Sequence, residues 1–378
     1  MKRKRAALIL AAVVGTFSGA AGCAGQESLP EYDPYAYFWE GGIVQNETVV
    51  LSEQDDGSIS GSLLFTPAEI LSVKNYTLQK TYDSGEYRTE GNALIATESS
   101  TMPFMTQAML RGEEGNDEFM WSSYDTGYVY TEGIGIVMHQ VAVTYRYDPS
   151  ETWGYIPEYR GDRLVNSMAK LERGENMHLF LFGDSISYGC NSSKVLGTEP
   201  YLPSYGEGLC GRLSEIYGAE VRFSNGSVGG WLSADGVKNI KSAYEVAAKN
   251  YGAPDLAVLA FGMNDASHKV PVETYKANMQ TIIDSVREIN ADADIVIIST
   301  IHANPQGSQD KALPAAYSAA DKELCAENER TVNVDMTRFS ELLYGKKKGV
   351  DILANNVNHP SDFLVRCYDM CLLKTLTK

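Results

Sequence analysis

Two textures of hydrophobic patterning divide the chain. From about Tyr37 to Tyr147, short runs cluster or alternate β-branched and aromatic residues: Thr48 to Leu51, Gly61 to Phe65, Asn92 to Thr97, Gly127 to Tyr130 and Val141 to Tyr147. Turn formers separate them, at Asp55-Asp56-Gly57, Asp83-Ser84-Gly85, Glu113-Glu114-Gly115 and Glu132-Gly133. Short strands of this kind, with little helical periodicity, predict an antiparallel β-sandwich of jelly-roll type. From Met177 apolar strands alternate with helical patterns instead. Strands are expected at Met177 to Phe182, Glu220 to Ser224, Leu256 to Phe261, Ile295 to Ser299 and Val332 to Val334. Helices are expected at Tyr205 to Tyr217, Ala234 to Asn250, Val272 to Ile289, Ala315 to Asn328 and Asp362 to Leu376. This alternation is that of an α/β fold, a parallel sheet covered by helices on both faces, in which ligands sit beyond the carboxyl ends of the strands.

The first residues stand apart from both regions. Lys2, Arg3, Lys4 and Arg5 precede an apolar run from Ala6 to Val14 and then small residues, the order of a secretory signal. That run is short of the roughly 20 apolar residues a membrane-spanning helix needs. Ala20-Ala21-Gly22-Cys23 resembles a bacterial lipobox, with Ala20 where a large aliphatic residue is usual. The expectation is a signal peptide over residues 1–22 with Cys23 acylated as the new N-terminus, so that the protein is extracellular and held to the bacterial membrane through that lipid only. The competing reading is an ordinary cleaved signal with a chance cysteine. A polar tether would cover 23–34, the sandwich 35–160 and the α/β domain 161–378.

Composition narrows the function classes. With 44% hydrophobic and 21% charged residues the chain has the means to bury a core, and its 378 residues exceed what one core usually organises. The net charge of −17 becomes −21 without residues 1–22, a surface that repels nucleic acid phosphates. The one basic run, Lys346-Lys347-Lys348, reads as a solvated loop. The five cysteines after Cys23, at 190, 210, 325, 367 and 371, show neither a disulfide framework nor zinc spacing, and Cys367 and Cys371 fit one helix face. No P-loop and no histidine pair at metal-binding spacing occurs, so no cofactor and no metal is expected.

The chemistry gathers after the strands. Gly183-Asp184-Ser185 follows the first, placing a serine where a helix begins and where free amide donors would favour an oxyanion. Alone, the tripeptide is better read as an N-cap serine. After the second strand, Asn225-Gly226-Ser227-Val228-Gly229-Gly230-Trp231 lets backbone amides approach a ligand. After the third, Gly262-Met263-Asn264-Asp265 can aim an amide NH2 into the same cleft. Asn356-Val357-Asn358-His359-Pro360 precedes the last helix.

Over residues 177–378 this order resembles the SGNH (GDSL) hydrolase superfamily, whose blocks are named for serine, glycine, asparagine and histidine. The resemblance implies a flavodoxin-like sheet, a carboxylic ester hydrolase with Ser185 as nucleophile and His359 as general base, and an oxyanion hole made by the Ser185 and Gly230 amides and the Asn264 side chain. Of the other histidines, His139 lies in the β-rich region, His178 at the far end of a strand, and His268 and His302 follow strands at the ligand end. Asp184, Trp231 and His302 are candidates for substrate contact; Trp231 could instead be a core tryptophan.

The family usually has an aspartate three residues before the histidine, where this chain has Asn356. An asparagine accepts from imidazole without neutralising imidazolium. Three readings stay open: a dyad steered by Asn356 or a backbone carbonyl, a third member at Asp362, or an impaired enzyme. Asp362 fits better as the opening of the last helix. The two-region layout is similar to bacterial esterases that deacetylate polysaccharide, which implies short acetyl esters as substrate and a glycan as partner, with Tyr124, Tyr128 and Tyr130 either a sugar platform or sheet packing. A lipase or lysophospholipase activity is the alternative, disfavoured by the lack of a long apolar lid; a non-catalytic glycan-binding lipoprotein is another.

Overall fold

The computed structural model describes residues 31–114, 122–124 and 127–378. The expected signal peptide, Cys23 and most of the tether lie outside the described residues. Asp33–Lys378 forms one compact unit.

Among the described residues ten strands build the β-rich region: β1 (Ile43–Val50), β2 (Ser52–Glu53), β3 (Ile59–Ser62), β4 (Pro67–Asn75), β5 (Lys80–Tyr82), β6 (Tyr87–Glu90), β7 (Ala93–Ala96), β8 (Ser122–Tyr124), β9 (Tyr128–Tyr130) and β10 (Gln140–Tyr147). They pair in the orders β1-β10-β4-β5 and β2-β3-β7-β6, with β8-β9 a separate ribbon. All these pairings are antiparallel. A bulge between Val44 and Glu47 turns β1 so that Glu47 points inward.

The α/β region holds β11 (Met177–Gly183), β12 (Val221–Asn225), β13 (Leu256–Ala260), β14 (Asp294–Ser299) and β15 (Thr331–Asp335), in the order β12-β11-β13-β14-β15. Every pair is parallel. Period two along the strands sorts their side chains into two cores. Phe180, Phe182, Ala257, Leu259, Ile295 and Ile297 face the helices Ser233–Tyr251, Val272–Ile289 and Ala312–Glu327. Leu179, Leu181, Val258, Val296 and Ile298 face the other way, with Leu209, Leu213, Phe363 and Leu364 of the helices Tyr205–Tyr217 and Asp362–Leu376.

That second core does not stop at the helices. It continues through Val44, Val49, Leu63, Phe65, Val73 and Val143 of the β-rich region, so the two regions expected as separate domains share one hydrophobic interior. Polar contacts seal the junction: Val50 N donates to Asp351 Oδ1 at 2.7 Å, and Arg366 Nη2 to the carbonyls of Gln45 and Asn46 at 2.8 and 2.6 Å. The lysine run is part of the seal rather than a solvated loop. Lys346 Nζ donates to Leu64 O at 2.8 Å, Lys348 Nζ to Ser52 Oγ at 3.1 Å, and Lys347 Nζ pairs with the buried Glu47 carboxylate at 2.6 Å.

The switch point of the sheet lies between β11 and β13, where the chain leaves β11 in one direction and returns on its other side, and it opens the cleft in which a ligand is expected.

Candidate active site

Ser185 opens the short helix Ser185–Tyr188 directly after β11. The approach is tight. A Cβ at Gly183 would stand 2.2 Å from Ala260 O on the neighbouring strand, so only glycine fits there. Asp184 is the N-cap of that helix, with Oδ1 accepting from Ile186 N at 2.9 Å. It is 2% exposed, and burial pushes its carboxyl up to about 7. Its expected contact with substrate is therefore corrected: the side chain is turned inward to shape the turn into Ser185.

His359 ends a tight loop closed by the Leu353–Pro360 bridge. Asn355 Oδ1 accepts from the amides of Val357, Asn358 and His359 at 2.9, 3.0 and 3.0 Å. This cradle aims the imidazole so that Nε2 lies 3.0 Å from Ser185 Oγ. Nδ1 lies 2.5 Å from Asn191 Oδ1 and 3.6 Å from Glu132 Oε2. Asn191 donates its own Nδ2 to Glu132 O at 2.9 Å, so Oδ1 is the atom left to face the ring. The imidazole then carries its proton on Nδ1 and offers the Nε2 lone pair to the serine.

Asn356 does not orient the ring. Its Oδ1 accepts from Asn304 Nδ2 at 2.8 Å and its Nδ2 donates to Val129 O at 2.9 Å. The backbone at Asn356 is left-handed, with φ 60, and this helps turn the side chain into the interior. Asp362 opens the last helix and accepts from Ser193 N at 3.0 Å, and burial raises its carboxyl. Asn191 and Glu132 are the residues sequence reasoning missed. In the sequence Glu132 reads only as part of the Glu132-Gly133 turn.

The glycine loop lies against Ser185. Val228 N donates to Gly183 O at 3.1 Å, and a Cβ at Gly229 would stand 3.8 Å from Ser185 Cβ. Gly230 has φ 79, a conformation that suits glycine and turns the loop sharply before Trp231. Asn264 Nδ2 donates to Trp231 O at 2.9 Å, and an amide nitrogen carries a second hydrogen besides. Asp265, beside Asn264, accepts from Ser233 N and Oγ at 3.0 and 2.5 Å and so ties the loop to the end of β13.

The remaining candidates make other contacts. The Trp231 ring meets Phe182 edge-on at 5.9 Å, in the core reading, and also walls a groove of about 460 Å³ between β12 and the helix Ser233–Tyr251. His302 lines a cavity of about 430 Å³ with Lys311, Asp335, Arg338 and Tyr344, and neither Ser185 nor His359 lines it. Burial holds the His302 imidazole below its ordinary value. His178 is spent on Gly252 O and Ser224 Oγ, both at 2.8 Å, and His268 Nδ1 stands 2.8 Å from Asn264 O. Tyr128 is buried, whereas the side chain of Tyr124 lies outside the described residues. The five cysteines are unpaired, with Cys367 and Cys371 both buried on the last helix. Among the described residues no group of three His, Cys, Asp or Glu side chains is placed to hold a metal ion, and no helix is long and apolar enough to cross a membrane.

The five-stranded parallel sheet thus brings a serine hydroxyl and an imidazole together at its switch point. Residues 181–363 match the GDSL-like Lipase/Acylhydrolase family. The matched segment runs from within β11 to the opening of the last helix and takes in Ser185, Gly230, Asn264 and His359. No curated protein matches the chain. Among solved structures it is similar to a two-domain esterase (CEX) active on acetylated mannans, 18% identical over 57% of this chain and 53% of that one, with a TM-score of 0.43. The match thus spans about half the length of that esterase. It is also similar to a lipase/acylhydrolase from Enterococcus faecalis (22% identity, 52% and 95% covered, TM-score 0.40). A third is the acetylxylan esterase Axe2 from Geobacillus stearothermophilus (17% identity, 55% and 97% covered, TM-score 0.44).

Proposed function

We propose that the chain removes short acyl groups, in particular O-acetyl groups on polysaccharide, through an acyl-enzyme on Ser185 with His359 as general base. The observation that carries the reading is the 3.0 Å approach of His359 Nε2 to Ser185 Oγ, with Nδ1 anchored on its other side. As Oγ bonds to the acyl carbon, its proton passes to Nε2 and the carbonyl electron pair moves onto oxygen. The Ser185 and Gly230 amides and Asn264 Nδ2 are the donors for that oxyanion, each such donor lowering a barrier by about 3 kcal/mol. Collapse breaks the bond to the alcohol, which takes the Nε2 proton. Water, deprotonated by the same nitrogen, then releases the acid and frees the serine.

A small acyl group is favoured because Ser185 is 6% exposed and has the Gly229 backbone close against it. Tyr188, which ends the nucleophile's helix, is 53% exposed and offers an aromatic face on which a sugar ring can stack. The signal segment and Cys23 make this an extracellular lipoprotein in the same proposal. Incorporation of labelled fatty acid that disappears with Cys23→Ser tests that part.

The activity is tested by acetate release from acetylated xylan and from p-nitrophenyl acetate by the full chain. Release by the wild type, lost with Ser185→Ala and with His359→Ala, is expected. Wild-type protein inert on every short ester would sink the reading.

A further inference from the structure

Glu132 belongs to the loop after β9, outside the family-matched segment 181–363, yet it touches every group that sets the His359 ring. Its Oε2 stands 3.6 Å from His359 Nδ1. Its Oε1 accepts from Asn355 Nδ2 at 3.4 Å, the asparagine that cradles the His359 backbone. Its backbone carbonyl accepts from Asn191 Nδ2 at 2.9 Å and so turns Asn191 Oδ1 to the ring. Building on the Ser185–His359 reading, we propose that Glu132 is the acidic positioning residue of this site, supplied by the β-rich layer, with Asn191 fixing the tautomer and Glu132 supplying the negative charge.

The division of labour follows from what each group can do. An amide oxygen accepts the Nδ1 proton but leaves the imidazolium formed during attack uncompensated. A carboxylate beside the same nitrogen stabilises that charge. No other described carboxylate reaches it: Asp184 is folded onto Ile186 N and Asp362 onto Ser193 N. The His359 imidazole beside it holds the Glu132 carboxyl below its usual range, against the opposing pull of burial. The other titratable group facing it is the half-buried Cys190 thiol, raised by burial and by the charges of Glu132 and Asp184. The arrangement also accounts for Asn356: with a carboxylate arriving from the β-rich layer, the position three residues before His359 is free to serve the interior.

Glu132 is 48% exposed, so solvent screens its charge and the water dielectric is the conservative limit. Even at a dielectric constant of about 80, a unit charge at this separation changes the proton affinity of the ring about sevenfold. The test follows the His359 ring by 15N–1H NMR titration of the full chain, alongside kcat, KM and the pH profile on p-nitrophenyl acetate. Glu132→Gln is expected to lower the proton affinity of His359 by about sevenfold or more, move the acidic limb of kcat/KM to lower pH, and reduce kcat by a similar factor at unchanged KM. Glu132→Asp keeps the charge and should hold the midpoint within about twofold of wild type; Asn191→Asp added to Glu132→Gln should bring midpoint and kcat back up. A His359 midpoint within about twofold of wild type in a folded Glu132→Gln protein overturns the inference. The titration needs no turnover, so this result is separate from failure of the esterase reading, which would appear as wild-type protein inert on every short ester.

Discussion

Cutting the Glu47–Lys347 pair should unfold the two layers together, because it lies in the interior they share. The pair is 2.6 Å long and both side chains are 0% exposed. Lys347→Met leaves the Glu47 carboxylate buried with two donors, Tyr145 Oη at 2.7 Å and Leu64 N at 3.0 Å. Removing one partner of a buried pair costs about 3–5 kcal/mol, and the surviving donors put the expectation near about 3 kcal/mol. With an unfolding entropy of about 2.1 cal/mol/K per residue over roughly 350 residues, that loss lowers Tm by about 4 °C. Glu47→Gln combined with Lys347→Met removes both charges and should recover most of it, since the cost is that of a stranded charge. The assay is urea unfolding followed by tryptophan fluorescence and by far-UV circular dichroism. Trp39 and Trp153 report the junction through their contacts with Phe339, and Trp231 reports the parallel-sheet region. A loss under about 1 kcal/mol, or two separated transitions in the wild type, would refute the argument that the layers are one cooperative body.

Two further predictions concern candidates that the structure moves away from substrate. Asn356→Ala should destabilise by about 1–3 kcal/mol, because it takes the side-chain donor from Val129 O in the interior and leaves Asn304 Nδ2 with the Asn356 carbonyl alone; a kcat loss above about tenfold with unchanged Tm would mean Asn356 acts on His359 after all. Asp184→Asn tests the buried carboxyl raised from 3.8 to about 7. A folded-state value above the unfolded one means stability is full below about pH 4 and is lost as pH rises through about 7, so the variant should gain stability relative to wild type from pH 5 to pH 8. Equal urea midpoint shifts at those two pH values would contradict that sign.

The α/β half was legible because its periodicity is local. The helices Tyr205–Tyr217, Val272–Ile289 and Asp362–Leu376 follow the sequence pattern to the residue. The helix expected from Ala315 instead starts at Ala312, because Pro314 sits in the first turn, where its missing N–H is no loss. In the β-rich half, β4 escaped notice: it opens with Pro67 and mixes Glu69, Ser72 and Lys74 among its apolar residues, which blurs the two-residue alternation. Glu47 and Lys347 had the same fate from the other direction. Each looks like a solvent residue in its own neighbourhood, and only their meeting across some 300 positions makes both interior.

The same logic separates the parts of the site that the sequence exposes from the part it hides. Ser185, Gly230 and Asn264 each follow a strand of one sheet, so their convergence is a property of the α/β fold and can be anticipated once the strands are located. The partner of His359 Nδ1 is of another kind. Asn191 lies in an irregular turn after the nucleophile's helix, and Glu132 in a loop of the other layer. Neither occupies a position that periodicity marks. Their contact with the ring exists because β9 is packed beside the His359 loop, where Val129 O accepts from Asn356. A shared interior that brings Glu132 to within 3.6 Å of Nδ1 sets the β-rich layer beside the His359 ring as well as in the core, so a substitution at Glu132 in the full chain separates its effect on the ring from its layer's part in the fold.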